Sequence, residues 1–195
     1  MGKVYCMNKS RLEAFSDGVI AIIITIMVLG MSIPEGANWV SLKPVLPVFL
    51  TYVLSFIMVG IYWNNHHHLF QAVQKINGKI LWANLSLLFW LSLFPFATGW
   101  MGNNHFQQAP VALYGFILFM ASLAYAVLVY FITHEKNTNR KVADAIRSDR
   151  KGKASAALYV LGIFLSFYYP IISVGIYIIV GAIWFIPDRR IEKSY

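Results

Sequence analysis

The stretch "RLEAFSDGVIAIIITIMVLGM", from Arg11 to Met31, decides how this chain is built. It places an arginine, a glutamate and an aspartate at the start of a run that is otherwise almost wholly apolar. The apolar part is long enough to cross a bilayer core of roughly 30 Å, which takes about 20 helical residues. Charged groups at such a threshold are costly, and they persist when they are paired or face a polar cavity.

The composition indicates a membrane protein. Of the 195 residues, 58% are hydrophobic and 12% are charged, and the mean hydropathy is +0.61. A soluble core of this size does not hold so much apolar surface. The net charge of +8 comes from basic residues between the hydrophobic segments, where they orient a membrane protein. The expected partner is therefore membrane lipid and not nucleic acid, and the single Cys6 excludes an internal disulfide.

Hydrophobicity predicts an all-α fold with six transmembrane helices in a single domain, residues 1–195. The last apolar run, from 154 to 187, carries no charge and would extend about 51 Å as one helix, far beyond the hydrocarbon core. Pro170 near its middle predicts two short spans instead. The predicted spans are about 13–33, 45–68, 79–101, 110–133, 154–169 and 170–187.

The distribution of basic residues predicts that both termini are cytosolic. With six spans and a cytosolic N-terminus, Lys43 is the only basic residue on the outer side, in agreement with the positive-inside rule. A five-span chain would place the basic tail "DRRIEKSY" on the wrong side. The loop "HEKNTNRKVADAIRSDRKGK" is predicted to be cytosolic, with a helix from Asn139 to Arg150. A cleaved signal peptide is disfavoured, because Asp17 and the bulky "LGMSIPEG" do not form a cleavage site.

The polar residues at the start of the first span include a predicted helix cap and one acid, Asp17, that helix capping does not explain. Ser10 and Glu13 have the spacing of a capping box. Asp17 lies two turns into the helix, and its separation of six residues from Arg11 is not that of a stacked pair. Asp17 is therefore expected to find donors on other helices, or to pair with Arg11 of the same or a neighbouring chain.

Arg11, Phe15, Ser16 and Asp17 form the pattern R-x-x-x-F-S-D at the head of the first span. This pattern resembles the signature of the endolysosomal potassium channel family, transmembrane protein 175, in its bacterial form with one six-helix repeat. The resemblance implies a potassium-permeable leak channel of the bacterial plasma membrane. It implies a homotetramer around a central pore lined by the first helix. It also implies that the four motif residues are a packing and hydrogen-bonding hub and not an ion filter.

Helical periodicity gives the first span one stripe that suits a pore wall. The stripe consists of Gly18, Ile22, Thr25 or Ile26, and Leu29. Rings of bulky aliphatic residues close a pore by dewetting, or make an ion shed water. The family's constriction has such residues, and the spacing from Asp17 matches Ile22, Ile26 and Leu29. Thr25 adds a hydroxyl for contact with ion or water, and plain helix packing is the alternative.

The expected selectivity is weak and the expected cofactor is none beyond the permeant potassium ion. The sequence has no T-V-G-Y-G stretch, so a filter built on rings of carbonyls is excluded. It also has no run of regularly spaced arginines that would mark a voltage sensor.

The stretch "YWNNHHHLF" lies at the cytosolic end of the second span. Consecutive residues on a helix turn by about 100°, so three adjacent histidines do not face one way. Because a metal site prefers spacings of three or four residues, no metal site is predicted here. A hydrogen-bonding layer at the depth of Asp17 is favoured. Its candidate members are Trp63, Asn64, His66, His67 and Asn84.

Two other functions remain as alternatives. A secondary transporter would use Asp17 as a coupling carboxylate, although Asp17 lies near a helix end and transporter sites lie at the midplane. A membrane enzyme would use the histidines as metal ligands. The sequence shows no nucleophile with a catalytic partner and no glycine-rich phosphate loop, so an enzyme is not predicted.

Overall fold

The computed structural model describes residues 8–71, 73, 75–135 and 150–185. Within these ranges the chain is helical throughout, and short loops join the helices. The helices are α1 (Lys9–Leu29), a 3-10 helix (Trp39–Val45), α2 (Leu46–Gln71), α3 (Gly78–Ser92), α4 (Phe94–Asn103), α5 (Gln108–Thr133), α6 (Arg150–Ser166) and α7 (Pro170–Phe185).

Four helical segments in the described ranges are long and apolar enough to cross a membrane. They are Lys9–Leu29, Trp39–Gln71, Gly78–Asn103 and Gln108–Thr133. They overlap the first four predicted spans. The segment Pro170–Phe185 is shorter and also apolar. With four candidate spans in the described ranges, the chain has the helices of a multi-pass membrane protein.

The third of these segments is interrupted, which the sequence analysis did not predict. α3 ends at Ser92 and α4 begins at Phe94. Leu93 lies between them, and its N–H donates to the Trp90 carbonyl at 3.3 Å. Pro95 stands at the start of α4, where a helix tolerates the missing N–H of a proline. In the interior of one continuous helix the same proline would remove a hydrogen bond and disrupt the helix.

α1 begins and ends four residues earlier than the predicted span of 13–33. The predicted capping box of Ser10 and Glu13 is wrong. Asn8 is the N-cap, and its side-chain oxygen accepts from the Ser10 N–H at 3.1 Å and from the Ser10 hydroxyl at 3.0 Å. Glu13 instead forms an ion pair of 4.0 Å with Lys9, one turn away. Hydropathy located the membrane part of the helix, but the helix extends into the polar residues before it.

The apolar run near the C-terminus is divided at Pro170, as the sequence predicts. α6 ends at Ser166 and α7 begins at Pro170. Both the Tyr168 and Tyr169 N–H groups donate to the Leu165 carbonyl in the turn between the helices, at 3.0 and 2.7 Å. α6 begins at Arg150, four residues before the predicted span. The predicted helix from Asn139 to Arg150 lies outside the described residues except for Arg150 itself, which begins α6.

One tyrosine fixes α7 against the rest of the bundle. Tyr177 is fully buried, and its hydroxyl donates to the Val111 carbonyl of α5 at 3.4 Å. Its ring lies over Gly115 of α5 and Gly162 of α6. A Cβ atom at Gly162 would lie 2.5 Å from the ring carbon Cε1. The two glycines therefore form a hole for the tyrosine, and three helices meet at one side chain.

Gly102 brings α4 into backbone contact with α2. A Cβ atom there would lie 2.6 Å from the Val48 Cα and 2.7 Å from the Thr51 hydroxyl oxygen. Because backbone cannot move aside cheaply, we expect Gly102→Ala to lower the free energy of unfolding by about 1–3 kcal/mol. The measurement is the apparent melting temperature of the purified protein in detergent.

Gly99 provides the matched control in the same helix, since a Cβ atom there meets nothing within 4 Å. Gly99→Ala should leave the melting temperature unchanged or raise it, because alanine favours the helix. Equal melting temperatures for the two variants would contradict the close contact at Gly102.

Candidate functional site

α1 has one face buried in its own chain and one face bare. The buried side chains recur at helical spacing, and they are Leu12, Ser16, Ile20, Ile23 and Met27. They pack against α2, α3 and α4. On the other side Ile22 is 57% exposed, Ile26 is 48% exposed and Leu29 is 80% exposed. The predicted pore stripe therefore lies on the face that this chain leaves uncovered.

The R-x-x-x-F-S-D motif is divided between these two faces. Ser16 is fully buried, whereas Arg11, Phe15 and Asp17 are exposed. Arg11 and Phe15 stand eleven and seven residues before Ile22. These are helical repeats, so both side chains belong to the exposed stripe. The motif thus ties one side of α1 to its own chain and presents two large side chains on the other.

Ser16 is the α1 end of a buried hydrogen-bonded relay across three helices. Its hydroxyl donates to the Leu12 carbonyl at 2.9 Å and accepts from the Asn84 amide nitrogen of α3 at 2.9 Å. The Asn84 amide oxygen lies 2.7 Å from Nε2 of His66 on α2. His66 also stacks on Phe70, with ring centroids 4.4 Å apart. Since all three polar side chains are buried, each satisfies the others where water does not reach.

Asp17 is held by a second and more exposed contact. The Trp63 indole N–H donates to the Asp17 carboxylate at 3.0 Å. The Trp63 ring stacks on His67 at a centroid distance of 6.2 Å, and Nε2 of His67 lies 2.9 Å from the Gln71 amide nitrogen. Asp17 therefore has a donor on another helix, as expected. Within the described residues no ion pair joins it to Arg11.

The three adjacent histidines point in different directions. His66 is buried, His67 is exposed and His68 is half-buried. Within the described ranges, no three histidine, cysteine, aspartate or glutamate side chains stand together as metal ligands would. Asn64 is exposed, and no hydrogen bond from its side chain to the relay is described. Of the five predicted layer residues, the structure joins His66 and Asn84 to Ser16, and Trp63 with the stacked His67 to Asp17.

Thr25 stands on the exposed stripe with its hydroxyl turned back to the helix. The hydroxyl oxygen lies 2.9 Å from the Ile22 carbonyl and 3.2 Å from the Ala21 carbonyl, to which it donates. These contacts use the hydroxyl proton and leave the oxygen lone pairs free to accept. Oxygen lone pairs are what a hard cation or a water proton binds, so Thr25 differs chemically from the aliphatic residues beside it.

A cluster of hydroxyls deeper in the bundle was missed by sequence reasoning. The Ser55 hydroxyl lies 2.6 Å from that of Thr98 and 3.0 Å from that of Tyr114. The Thr98 hydroxyl also lies 3.8 Å from the sulfur of Met27, on the buried face of α1. Serine and threonine in apolar helices signal interhelical hydrogen bonds. Which of them meet depends on the packing and not on the local sequence.

The arrangement suits passive contact with an ion and not covalent chemistry. The bare face of α1 carries aliphatic side chains, one hydroxyl and, at one end, Phe15 and Arg11. The polar groups behind it are occupied with one another. Such a face packs against lipid or against further protein, or it borders a narrow water-filled passage, where aliphatic rings control wetting.

Comparisons with known proteins show which family the chain belongs to. The sequence model of the family "Endosomal/lysosomal potassium channel TMEM175" matches residues 11–95, which contain the motif, most of α1, and all of α2 and α3. The chain is 61% identical over 188 residues to a potassium channel of Chryseobacterium sp. (strain P1-3), covering 96% of this chain and 98% of that one. It is 28% identical over 149 residues to the endosomal/lysosomal proton channel TMEM175 of Gallus gallus, covering 68% of this chain and 30% of that one.

A solved structure also matches over most of the chain. It is the crystal structure of a lysosomal potassium-selective channel TMEM175 homolog from Chamaesiphon minutus. The TM-score is 0.78 at 27% sequence identity, and the match covers 90% of this chain and 95% of that one. These relatives are ion channels and not enzymes. The chain is thus a multi-pass membrane protein that belongs to the TMEM175 family of ion channels.

Proposed function

We propose that this chain forms a homotetrameric, potassium-permeable leak channel whose pore is lined by the exposed face of α1. The observation that carries the proposal is the bare aliphatic stripe opposite the buried face of α1. A single chain leaves that stripe without a partner. Four copies around an axis would turn each stripe residue into a ring. The bacterial relative and the solved structure are both named as potassium channels, which supports the choice of ion.

Selectivity in this proposal arises from partial dehydration. Rings of Ile22, Ile26 and Leu29 offer no oxygen to replace the water around an ion. Sodium holds its water more tightly than potassium, so the narrow rings favour potassium moderately. Thr25 supplies the one hydroxyl oxygen of the stripe, between the Ile22 and Leu29 rings.

In this proposal the motif fixes the position of the pore-lining helix α1 within its own chain. Ser16, through Asn84 and His66, holds α1 against α3 and α2, and Asp17 is held by Trp63. Arg11 and Phe15 stand on the stripe side, where neighbouring subunits would meet. Their role in this proposal is contact between subunits at one end of the pore.

The proposed topology has six spans, both termini in the cytosol, and the bacterial inner membrane as its location. α6 and α7 contain 17 and 16 residues, or about 24–26 Å of helix, close to the roughly 30 Å of hydrocarbon. If successive spans cross in alternate directions, the loops and ends with Lys9, Lys75, Lys79, Lys151 and Lys153 lie on one side of the membrane and Lys43 lies on the other. The positive-inside rule assigns the first group to the cytosol.

The proposal is tested by the reversal potential of purified protein in planar bilayers, with potassium chloride in one chamber and sodium chloride in the other. Because potassium leaves its chamber faster, we expect the current to reverse when the potassium side is negative. The control is a mock purification from cells without the protein. Absence of current from verified tetramers would overturn the proposal.

A second arm compares protons with potassium, because the Gallus gallus relative is named as a proton channel. Currents are recorded under a pH gradient without alkali metal ions. The potassium proposal expects little current in that condition. A proton current of the same size as the potassium current would contradict a potassium leak as the main activity.

A further inference from the structure

A groove runs along the outside of the bundle between α5, α6 and the end of α7, away from α1. The open space within it has a volume of about 490 Å³. Its floor contains the small residues Ala126, Gly152 and Ala156, and Phe119 and Trp184 form part of its walls. The small side chains open a space that larger ones would fill, and the groove faces outward, since Ala126 is exposed.

The groove is apolar along its length and polar at one end. The α5 residues that line it recur at spacings of three and four, from Phe119 through Ser122, Ala126 and Val129 to Thr133. At the mouth the Tyr130 and His134 rings are in tilted contact, with centroids 4.2 Å apart. The mouth also contains the exposed Lys153. Lys151 lies two residues before it. The acid that follows His134, Glu135, accepts a hydrogen bond from the Asn77 side-chain amide, so the described residues at this end carry two lysines against one engaged carboxylate.

The length of the groove matches one leaflet of a bilayer. From Phe119 to His134 the α5 helix rises about 22 Å. Half of a bilayer that is roughly 40–45 Å thick with its headgroups is about 20–22 Å. Aromatic residues near the mouth fit the headgroup level, where tyrosine and tryptophan are enriched. A molecule with one apolar tail and a head at the leaflet surface therefore fits the groove along its whole length.

We propose that this groove binds an anionic phospholipid of the cytosolic leaflet. An acyl chain lies along Ala126 and Ala156, and the phosphate lies at Lys153. The lysine at the mouth favours an anionic headgroup over a zwitterionic one, since basic residues near the membrane surface attract anionic lipid. The site lies on helices that do not line the proposed pore, so its occupancy does not depend on ion conduction.

The test measures lipid bound to the full-length protein by native mass spectrometry, after titration with phosphatidylglycerol or phosphatidylcholine in neutral detergent. Wild-type protein should retain phosphatidylglycerol more tightly. Reversal of the charge in Lys153→Glu should weaken that binding roughly tenfold, and Lys153→Arg should preserve it. Lys43→Glu, an exposed lysine at the other end of the bundle, should leave it unchanged.

A second pair of variants tests the acyl-chain part of the groove. Ala126→Phe should fill the floor and reduce retention of phosphatidylglycerol roughly tenfold or more. Val127→Phe adds the same ring at the next exposed position of α5, which is outside the groove, and should have no effect. Both positions are exposed, so melting temperatures near that of the wild type are expected and identify any folding defect.

Three results would overturn the proposal: equal binding of the two lipids by the wild type, equal losses in Lys153→Glu and Lys43→Glu, or unchanged binding in Ala126→Phe. Bilayer currents from the same preparations report separately on conduction. A protein that binds phosphatidylglycerol without conducting potassium would refute the proposed channel and keep the lipid site. A protein that conducts potassium without preferring phosphatidylglycerol would refute the lipid site and keep the proposed channel.

Discussion

Ile22→Asn is expected to raise the potassium current about tenfold and to move the potassium-to-sodium permeability ratio towards one. In the proposed tetramer the substitution replaces a ring of four aliphatic side chains by four amides. The amides hydrogen-bond with water, so an ion passing the ring keeps more of its hydration shell. A tenfold gain corresponds to a barrier lowered by about 1.4 kcal/mol. The measurement is current and reversal potential in bilayers at equal protein density.

Val28→Asn is the matched control for this experiment. Val28 is 42% exposed in the single chain, and it lies six residues from Ile22, or about 120° around the helix. Val28→Asn introduces the same amide on the same helix, about 9 Å further along its axis and outside the stripe. If Val28→Asn reproduced the effect of Ile22→Asn, or if Ile22→Asn left current and ion ratio unchanged, the pore would not be lined by this face.

Asn84→Leu is expected to lower the free energy of unfolding by about 2–4 kcal/mol, because it removes the central member of the buried relay. Leucine has a similar size, so the packing is largely kept. Ser16 loses the donor to its hydroxyl oxygen and Nε2 of His66 loses its only described partner. The measurements are the apparent melting temperature in detergent and the fraction of protein that elutes at the size of the proposed tetramer.

The control for this variant is Asn64→Leu, the same substitution at an exposed position on α2. It should leave the melting temperature within about a degree of the wild type, because surface changes away from buried networks alter stability little. Equal destabilisation by the two variants would show that the buried relay contributes nothing beyond helix packing.

Much of the fold could be predicted from hydropathy, because the bilayer imposes a length on each span. The first four spans and the division at Pro170 agree with the structure. The interruption at Leu93 could not be read in the same way. Hydropathy is continuous from α3 to α4, and Pro95 is compatible with either a kink or a new helix. The choice depends on how α4 packs, including the close contact at Gly102.

The sequence indicated which residues have partners on other helices better than it indicated which residues are hydrogen-bonded to each other. Because Ser16 and Asp17 lie at the start of an apolar run, partners on other helices could be expected. The sequence does not state that Asn84 meets Ser16 while Trp63 meets Asp17, since those residues are 68 and 46 positions apart. Asn64 and His66 are two residues apart on the same helix, yet one is exposed and the other buried. The rotation of α2 decides between them.

The contact of Tyr177 with Gly115 and Gly162 has a consequence for how the chain evolves. No one of these three positions is free to change volume alone, because the ring fills the space that both glycines leave. In homologues that replace the tyrosine by a smaller side chain, residues larger than glycine become acceptable at the other two positions. We therefore expect inverse covariation of side-chain volume across the three sites. In lineages that start from tyrosine with two glycines, the change to a smaller residue at position 177 should precede the changes to larger residues at positions 115 and 162.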